Sequence, residues 1–98
     1  MNMKTHFDHR FLEDATETLR AIAHPIRMAI LDLLADGGSL TVTEIYSRLQ
    51  IEQAIASHHL RILKNKGVLN VERDGKNSLY SLANTEYHEI VRILTRVL

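Results

Sequence analysis

Apolar side chains recur at helical spacing over the first third of the chain. Between residues 12 and 23 they stand at i, i+3, i+4 and i+7, the spacing of an amphipathic helix. Pro25 separates this helix from the next, because the residue before a proline is pushed out of the helical region and proline suits the first position of a new helix. The second helix is predicted to close at Gly37-Gly38, since glycine tolerates the left-handed conformation of a helix end.

A short third helix and a longer fourth helix are predicted next. Thr41 and Glu44 have the spacing of a capping box, in which each side chain accepts a hydrogen bond from the backbone N–H of the other residue. After Ile51 the helical spacing resumes over residues 53–66 and stops at Gly67. Only a short turn separates the two helices, which is typical of a helix-turn-helix.

The fourth helix has two distinct faces when its residues are projected at about 100° per position. His59 lies on the apolar face with Ala56 and Leu63, flanked by Leu60 and Ile55. The opposite face collects small and polar side chains, namely Ala54, Ser57, His58, Arg61 and Asn65, with Gln53 and Lys64 at its margin. Adjacent helical residues cannot point the same way, so His58 is predicted to face outward and His59 to pack at the edge of the core. A metal site built from both is not expected, because helical ligand pairs need i, i+3 or i, i+4 spacing.

The apolar period changes to two beyond Gly67. Residues 69–73 and 78–82 alternate between apolar and polar positions, and the turn-forming sequence Asp-Gly-Lys-Asn lies between them. This pattern predicts a β-hairpin with a basic tip. A last helix carries an apolar stripe from Tyr87 to Val97. The chain is therefore predicted to be mainly α with a small β-hairpin, in the order α-α-α-α-β-β-α, as a single domain 1–98 in which residues 1–10 form a mobile tail.

Composition narrows the class of protein. The 98 residues, of which 45% are hydrophobic, suffice for one compact domain and not for two. No apolar run approaches the length that crosses a bilayer, and the amino terminus lacks the pattern of a secretion signal, so a cytoplasmic protein is expected. The absence of cysteine excludes a disulfide framework, a thiolate nucleophile and a cysteine-based metal or redox site.

The formal net charge of zero argues at first against a nucleic-acid-binding domain, which usually carries a basic excess. The distribution of charge changes this picture. Residues 1–52 hold five basic and eight acidic side chains, whereas residues 53–98 hold seven basic and four acidic ones. An anionic partner is therefore expected to bind the second half of the chain.

Three stretches resemble the ArsR/SmtB family of small bacterial winged helix-turn-helix repressors. "LRAIAHPIRMAILDLL" is similar to the family's opening signature, "IEQAIASHHLRILKNKGVL" to its recognition helix and "VERDGKNSLYSL" to its wing. The resemblance covers nearly the whole chain. It implies a winged helix-turn-helix fold, a homodimer held by the first and last helices, and a sequence-specific transcriptional regulator, specifically a repressor, that binds a near-palindromic operator.

The resemblance also places the 53–66 helix in the major groove of DNA and the 73–78 wing on the DNA backbone. We assign base contacts to outward side chains of the helix, with hydrogen bonds from Gln53, Ser57 and His58 and a thymine methyl contact from Ala54. Phosphate contacts are assigned to the basic side chains Arg61, Lys64, Arg73 and Lys76. A dimer presents two such helices about one DNA turn, roughly 34 Å, apart. The alternative for each basic residue is a solvated helix face or turn, and Lys66 is assigned to that alternative.

The dimer interface implied by the resemblance uses the apolar stripes of the two terminal helices. Its predicted members are Leu12, Leu19, Ile22, Tyr87, Ile90, Val91, Leu94 and Val97. The alternative is that both stripes only cover the core of a monomer.

Metal sensing, which many relatives use to release DNA, is weakly supported by the residues present. The family's cysteine pair on the third helix is matched here by Thr41-Val42-Thr43, and hydroxyls are not ligands for soft metals, so thiolate-based sensing is excluded. A second family site lies on the last helix, where Glu86 and His88 match only its first half. His6 and His9 offer the remaining ligands for nickel, cobalt or zinc. We expect no cofactor, and a histidine and carboxylate metal sensor remains an alternative.

An enzyme and a protein-binding module are the two other classes of function to compare with DNA binding. An enzyme needs a pocket with convergent titratable groups, and no catalytic triad, phosphate-binding loop or pair of carboxylates is evident in the sequence. A winged-helix module that binds a partner protein remains an alternative. Ionic strength distinguishes that module from a DNA-binding protein, because DNA affinity falls steeply with added salt.

Overall fold

The computed structural model describes residues 3–98, and Met1 and Asn2 lie outside the described residues. Over this range the chain forms α1 (His9–Ile22), α2 (Pro25–Gly37), β1 (Leu40–Thr41), α3 (Val42–Leu49), α4 (Gln53–Asn65), β2 (Leu69–Asp74), β3 (Asn77–Leu82) and α5 (Glu86–Val97). The mainly helical fold with a β-hairpin is therefore confirmed. No helix within that range is both long enough and apolar enough to cross a membrane.

The sheet contains a third strand that the hydrophobic pattern did not predict. The strands are antiparallel in the order β1-β3-β2. Leu40 of β1 pairs with Tyr80 of β3, and Thr41 pairs with Leu79. A strand of only two residues has no apolar alternation, so it leaves no periodic signal. It joins the start of α3 to the hairpin and so fixes the helix-turn-helix against the wing.

The first helix begins earlier than expected. Residues 9 and 10, which the sequence analysis assigned to the mobile tail, form the first turn of α1. Phe7 precedes that turn, and its ring stacks on Phe11 with 5.2 Å between the ring centroids. This aromatic pair lies one turn before the stripe from which the helix was predicted.

Capping contacts confirm the predicted starts of α2 and α3. His24 precedes α2, and its Nδ1 accepts a hydrogen bond of 3.1 Å from the backbone N–H of Ile26. The Thr41 Oγ1 accepts from the Glu44 N–H at 3.1 Å, and the Glu44 Oε1 accepts from the Thr41 N–H at 3.0 Å. The bond from the Thr41 backbone, together with the Thr41 side chain, lowers the pKa of Glu44.

The core lies where α2, α3 and α4 meet the base of the hairpin. Its fully buried side chains are Ile30, Leu31, Leu34, Ile45, Leu60, Leu63 and Val68. Tyr80 and Leu82 of β3 and Tyr87, Ile90 and Val91 of α5 pack against this cluster from outside. Because α2 contacts α1, α3, α4, β3 and α5, it is the element on which the others are assembled.

Candidate nucleic-acid interface

The turn between α3 and α4 is closed by a residue in the left-handed conformation. Gln50 has φ 55° and ψ 47°, and among the described residues it is the one non-glycine with a positive φ. The N–H of Ile51 donates back to the Tyr46 carbonyl at 3.1 Å. A left-handed residue other than glycine costs roughly 1–2 kcal/mol. This turn was located from its length alone, since no glycine or proline marks it.

The two faces of α4 are separated as predicted. Ala56, Leu60 and Leu63 are fully buried, and His59 is 7% exposed. The outward side chains Gln53, Ala54, His58, Arg61, Lys64 and Asn65 are exposed, and Ser57 is half-buried. Ile55, which was predicted to flank the apolar face, is 40% exposed and lies about one turn before the buried His59.

The wing places two basic residues at and beside its tip. Asp74 pairs with Asn77, so that Gly75 and Lys76 form a two-residue loop. Gly75 has φ 63°, which suits glycine at the first position of such a loop. Arg73 and Lys76 are both exposed, and β2, which carries Arg73, also contacts α4. The wing and α4 are therefore parts of one packed unit.

The four basic residues assigned to DNA differ from Lys66 in their ion pairs. Over residues 3–98, none of Arg61, Lys64, Arg73 and Lys76 forms an ion pair with a carboxylate. The Lys66 Nζ lies 2.7 Å from the Glu17 Oε2 of α1, and this hydrogen bond lowers the pKa of Glu17. Lys66 is thus a contact between α1 and the end of α4, whereas the other four side chains are available to an anionic partner.

His59 is packed between two other histidines. Its ring centroid lies 4.3 Å from that of His24 and 5.0 Å from that of His58, whose ring it meets edge-on. The Nδ1 of His59 is buried, and no atom of residues 3–98 hydrogen-bonds to it. Burial lowers the pKa of His59, and the nearby His24, Arg27 and His58 lower it further. The neutral imidazole is therefore the form that this packing favours.

The terminal helices expose apolar side chains at the positions expected of an interface, but not at all of them. Leu19 of α1 is 50% exposed, Leu94 of α5 is also exposed, and Val97 is 72% exposed. Leu12, Tyr87, Ile90 and Val91 are half-buried, and the last three pack on the core. Ile22 is 3% exposed and belongs to the core cluster, so its assignment to the interface is corrected. Helical spacing identifies a stripe but not the neighbour that covers it.

The structure adds apolar surface residues that the sequence analysis did not single out. Phe7 and Phe11 are exposed at the start of α1, and Ile93 is exposed on α5. Phe7, Phe11 and Leu19 stand at multiples of four residues, and this spacing was the signal that could have identified them. The exposed apolar surface on the terminal helices is therefore larger than predicted.

The candidate metal ligands do not form one cluster. The His9 Nε2 pairs with the Glu13 Oε1 at 2.8 Å, and the His88 Nε2 pairs with the Asp32 Oδ1 at 2.9 Å. His6 precedes α1, and Glu86 is exposed at the start of α5. Within the described range, no three histidine or carboxylate side chains come together in a way that could hold a metal ion.

Known proteins share both the sequence pattern and the fold. Residues 24–71 match the family described as "Bacterial regulatory protein, arsR family". The transcriptional repressor PagR of Bacillus anthracis is 33% identical over 97% of this chain and 99% of its own length. The crystal structure of PagR superimposes with a TM-score of 0.80 over 89% of this chain and 99% of that chain.

Two further solved structures are similar over most of the chain. HlyU from Vibrio cholerae, named a transcriptional activator, superimposes with a TM-score of 0.81 at 31% identity, over 92% of this chain and 97% of that one. The Mb0332 domain from Mycobacterium bovis is described as a homodimeric winged helix-turn-helix DNA-binding domain of a possible ArsR-family regulator. It superimposes with a TM-score of 0.79 at 26% identity, over 99% of this chain and 89% of that chain.

The burial of His59 predicts a stability that depends on pH. Because the pKa of His59 is lowered in the folded chain, the unfolded chain binds this proton first as the pH falls. The contribution of neutral His59 to the free energy of unfolding is fully present above the ordinary histidine pKa of about 6.5. This contribution is lost as the pH falls through the lower pKa that His59 has in the folded chain. Between about pH 7.5 and about pH 5.5, the free energy of unfolding should decrease more for the wild type than for His59→Leu. Urea unfolding measures both decreases.

His6→Leu is the matched control for this comparison, because His6 is an exposed histidine outside the core. It should keep the wild-type loss of stability on acidification. Equal losses in the wild type and in His59→Leu would show that His59 makes no contribution to the pH dependence.

Proposed function

Because this chain belongs to the arsR family of bacterial regulatory proteins, it is a DNA-binding transcriptional regulator and not an enzyme, and we propose that it binds its operator as a homodimer through the outward face of α4. The 53–66 segment lies in the major groove, and the 73–78 wing lies on the DNA backbone. The observation that carries this proposal is the division of α4 into a fully buried apolar face and an exposed polar one.

The outward residues have the chemistry that base reading requires. The Gln53 side chain can bond adenine at two positions, His58 can donate to a purine acceptor, and Ala54 can contact a thymine methyl group. Ser57 is half-buried, so it contacts only bases that approach the helix closely. Arg61, Lys64, Arg73 and Lys76 bind phosphates, which adds affinity without sequence information. Over residues 3–98 none of these four side chains pairs with a carboxylate, and this supports the assignment.

Dimerisation through α1 and α5 is supported by the apolar side chains that one chain leaves uncovered. Leu19, Leu94 and Val97 are exposed, and Phe7, Phe11 and Ile93 extend the same kind of surface. Apolar patches of this kind on a small domain mark interaction sites. A homodimer gives two copies of α4 and therefore suits a near-palindromic site with half-sites about one helical turn apart. The homodimeric Mb0332 domain shares this fold.

We assign the regulator to repression in the cytoplasm. A homodimer bound over a promoter blocks transcription by occupying the DNA. The relative PagR is named a repressor, which supports this assignment, whereas HlyU is named an activator.

We further propose that this chain regulates transcription without a metal cofactor. Thiolate ligands are impossible because the sequence has no cysteine. Two candidate ligands, His9 and His88, already pair with Glu13 and Asp32. A nickel, cobalt or zinc sensor using His6, His9, Glu86 and His88 is the alternative.

Substitutions on the outward face of α4 are expected to separate affinity from sequence preference. Arg61→Ala should weaken binding to every duplex, and its salt dependence should become shallower by about 0.9 per lost phosphate contact, or roughly two units for a dimer. His58→Ala should instead change the order of preference among duplexes. Fluorescence anisotropy with a duplex selected from a random library and with its scrambled version measures both effects.

Arg10→Ala is the matched control, because it removes the same charge from the start of α1. It should leave DNA affinity unchanged. If neither Arg61→Ala nor His58→Ala alters binding, the interface has been assigned to the wrong face. A complex with another protein that is insensitive to salt would favour the partner-binding alternative.

Charges placed on the exposed apolar end of α5 are expected to separate the dimer. The double variant Leu94→Asp, Val97→Asp should be monomeric, because two charges cannot be buried in an apolar interface without partners. Arg96→Asp changes the net charge by the same two units at a position away from the apolar stripe and should remain dimeric. Sedimentation equilibrium should give the wild type twice the chain mass of 11.2 kDa. A monomeric wild type at all concentrations would exclude the proposed dimer.

Metal addition is expected to leave DNA binding unchanged. Elemental analysis of the purified protein should find no stoichiometric zinc, nickel or cobalt, and titration of the protein–DNA complex with each ion should not release DNA. Release by one ion, abolished by His88→Asn, would establish the metal-sensor alternative instead.

A further inference from the structure

A row of three imidazoles connects the start of α2 to the outward face of α4. The row is formed by His24, His59 and His58, with ring centroids 4.3 Å apart for the first pair and 5.0 Å apart for the second. Within α4, His59 is buried and its neighbour His58 is exposed. The row therefore joins a residue proposed to contact DNA with a helix that lies in the core.

His24 has a second role that depends on its protonation. Its Nδ1 accepts the hydrogen bond from the Ile26 N–H and so caps α2. An imidazole nitrogen accepts a hydrogen bond only when it carries no proton, whereas both nitrogens of a charged imidazole are donors. The cap at the start of α2 and the contact with His59 thus both need a neutral His24.

The charged and titratable groups that lower the pKa of His59 are all basic. The titratable and charged groups that act on His59 within residues 3–98 are His24 and Arg27 from the start of α2 and His58 from α4 itself. None of them is a carboxylate, and all three come from α4 or from the start of α2. The Arg27 Nε and the His59 Nδ1 are both buried, and no atom of the described chain hydrogen-bonds to either. A proton added to His59 therefore meets no carboxylate among these neighbours.

We propose that His24 and His59 are positioning residues for DNA recognition, which hold His58 and the start of α4 in place only while the row is uncharged, so that mild acid reduces discrimination between DNA sequences. This inference rests on the proposed function of α4. Neither residue contacts DNA, because His59 lies under the helix and His24 lies in the cap of α2.

Acid acts in opposite directions on affinity and on discrimination. Added protons on exposed histidines increase the attraction to phosphates, and this attraction is the same for every sequence. Charging the row removes the α2 cap and places like charges side by side, which loosens the support of His58. The informative quantity is therefore the ratio of the dissociation constants for a scrambled and a selected duplex, in which the common phosphate attraction cancels.

The experiment measures this ratio by fluorescence anisotropy at about pH 8 and about pH 5, and the lower value lies well below the ordinary histidine pKa of about 6.5 because the pKa of His59 is lowered. The wild type is compared with His24→Asn and with His59→Leu. Asparagine is a good helix cap that does not titrate, so His24→Asn keeps the start of α2 and removes only the ring. Leucine fills the space of His59 without a titratable group. His6→Asn is the control, because His6 precedes α1 and lies outside the row.

The wild-type ratio should fall by about tenfold on acidification, which is the discrimination that one well-placed base contact supplies. Each of the two row variants should already have a low ratio at the higher pH, close to that of the acidified wild type, and little further change. The His6→Asn control should follow the wild type. Circular dichroism at both pH values verifies that each protein is folded, and either row variant alone suffices if the other does not fold.

Two results would overturn the inference while leaving the proposed function intact. In the first, the wild-type ratio does not change with pH. In the second, both row variants keep the wild-type profile, which would mean that His58 titrates by itself. A wild type that does not discriminate between duplexes even at the higher pH would instead overturn the proposed function and this inference with it. Two-dimensional ¹H–¹⁵N spectra of the imidazoles provide an independent test, since the His24 Nδ1 should be an unprotonated acceptor at the higher pH.

Discussion

The burial of one face of α4 is the constraint on which the rest of the account depends. Ala56, Leu60 and Leu63 are packed without exposed surface, so the rotation of the helix about its axis is fixed. A rotation by one residue would exchange Leu60 for Arg61. The exposed leucine would lose about 1.5–3 kcal/mol of burial, and the charged arginine would cost several kcal/mol more without a partner. The core therefore determines which side chains of α4 face outward, toward the surface that we propose binds DNA.

Charge is organised around the same helix, even though the net charge of the chain is zero. The cations of α4 and the wing have no carboxylate partner in the described range, while Lys66 at the end of the helix pairs with Glu17 of α1. Acidic side chains outnumber basic ones in the first half of the chain, whereas basic side chains outnumber acidic ones in the half that holds α4 and the wing. A neutral protein can thus bind a polyanion, because affinity depends on the local density of unpaired cations and not on the total charge.

Much of this arrangement could be predicted from local signals in the sequence. Pro25, the Thr41–Glu44 capping box and Gly67 marked helix ends, and the opposite orientations of His58 and His59 followed from helical geometry alone. The features that were missed depend on distant neighbours. Strand β1 forms only because β3 lies beside it, Ile22 is covered by the core, and the contact between His24 and His59 joins residues from two different helices. No period along the chain reports such contacts.

The absence of cysteine allows the central claim to be tested residue by residue, because each introduced thiol is the one site of alkylation in the protein. The measurement is the alkylation rate of Ala54→Cys, Ala56→Cys and Thr95→Cys, with and without a selected DNA duplex. The account predicts rapid alkylation of Ala54→Cys in the free protein, protection of that position by DNA, no reaction at the buried Ala56→Cys, and an unchanged rate for Thr95→Cys on α5. Rapid alkylation of Ala56→Cys in the folded protein, or no protection of Ala54→Cys by bound DNA, would contradict it.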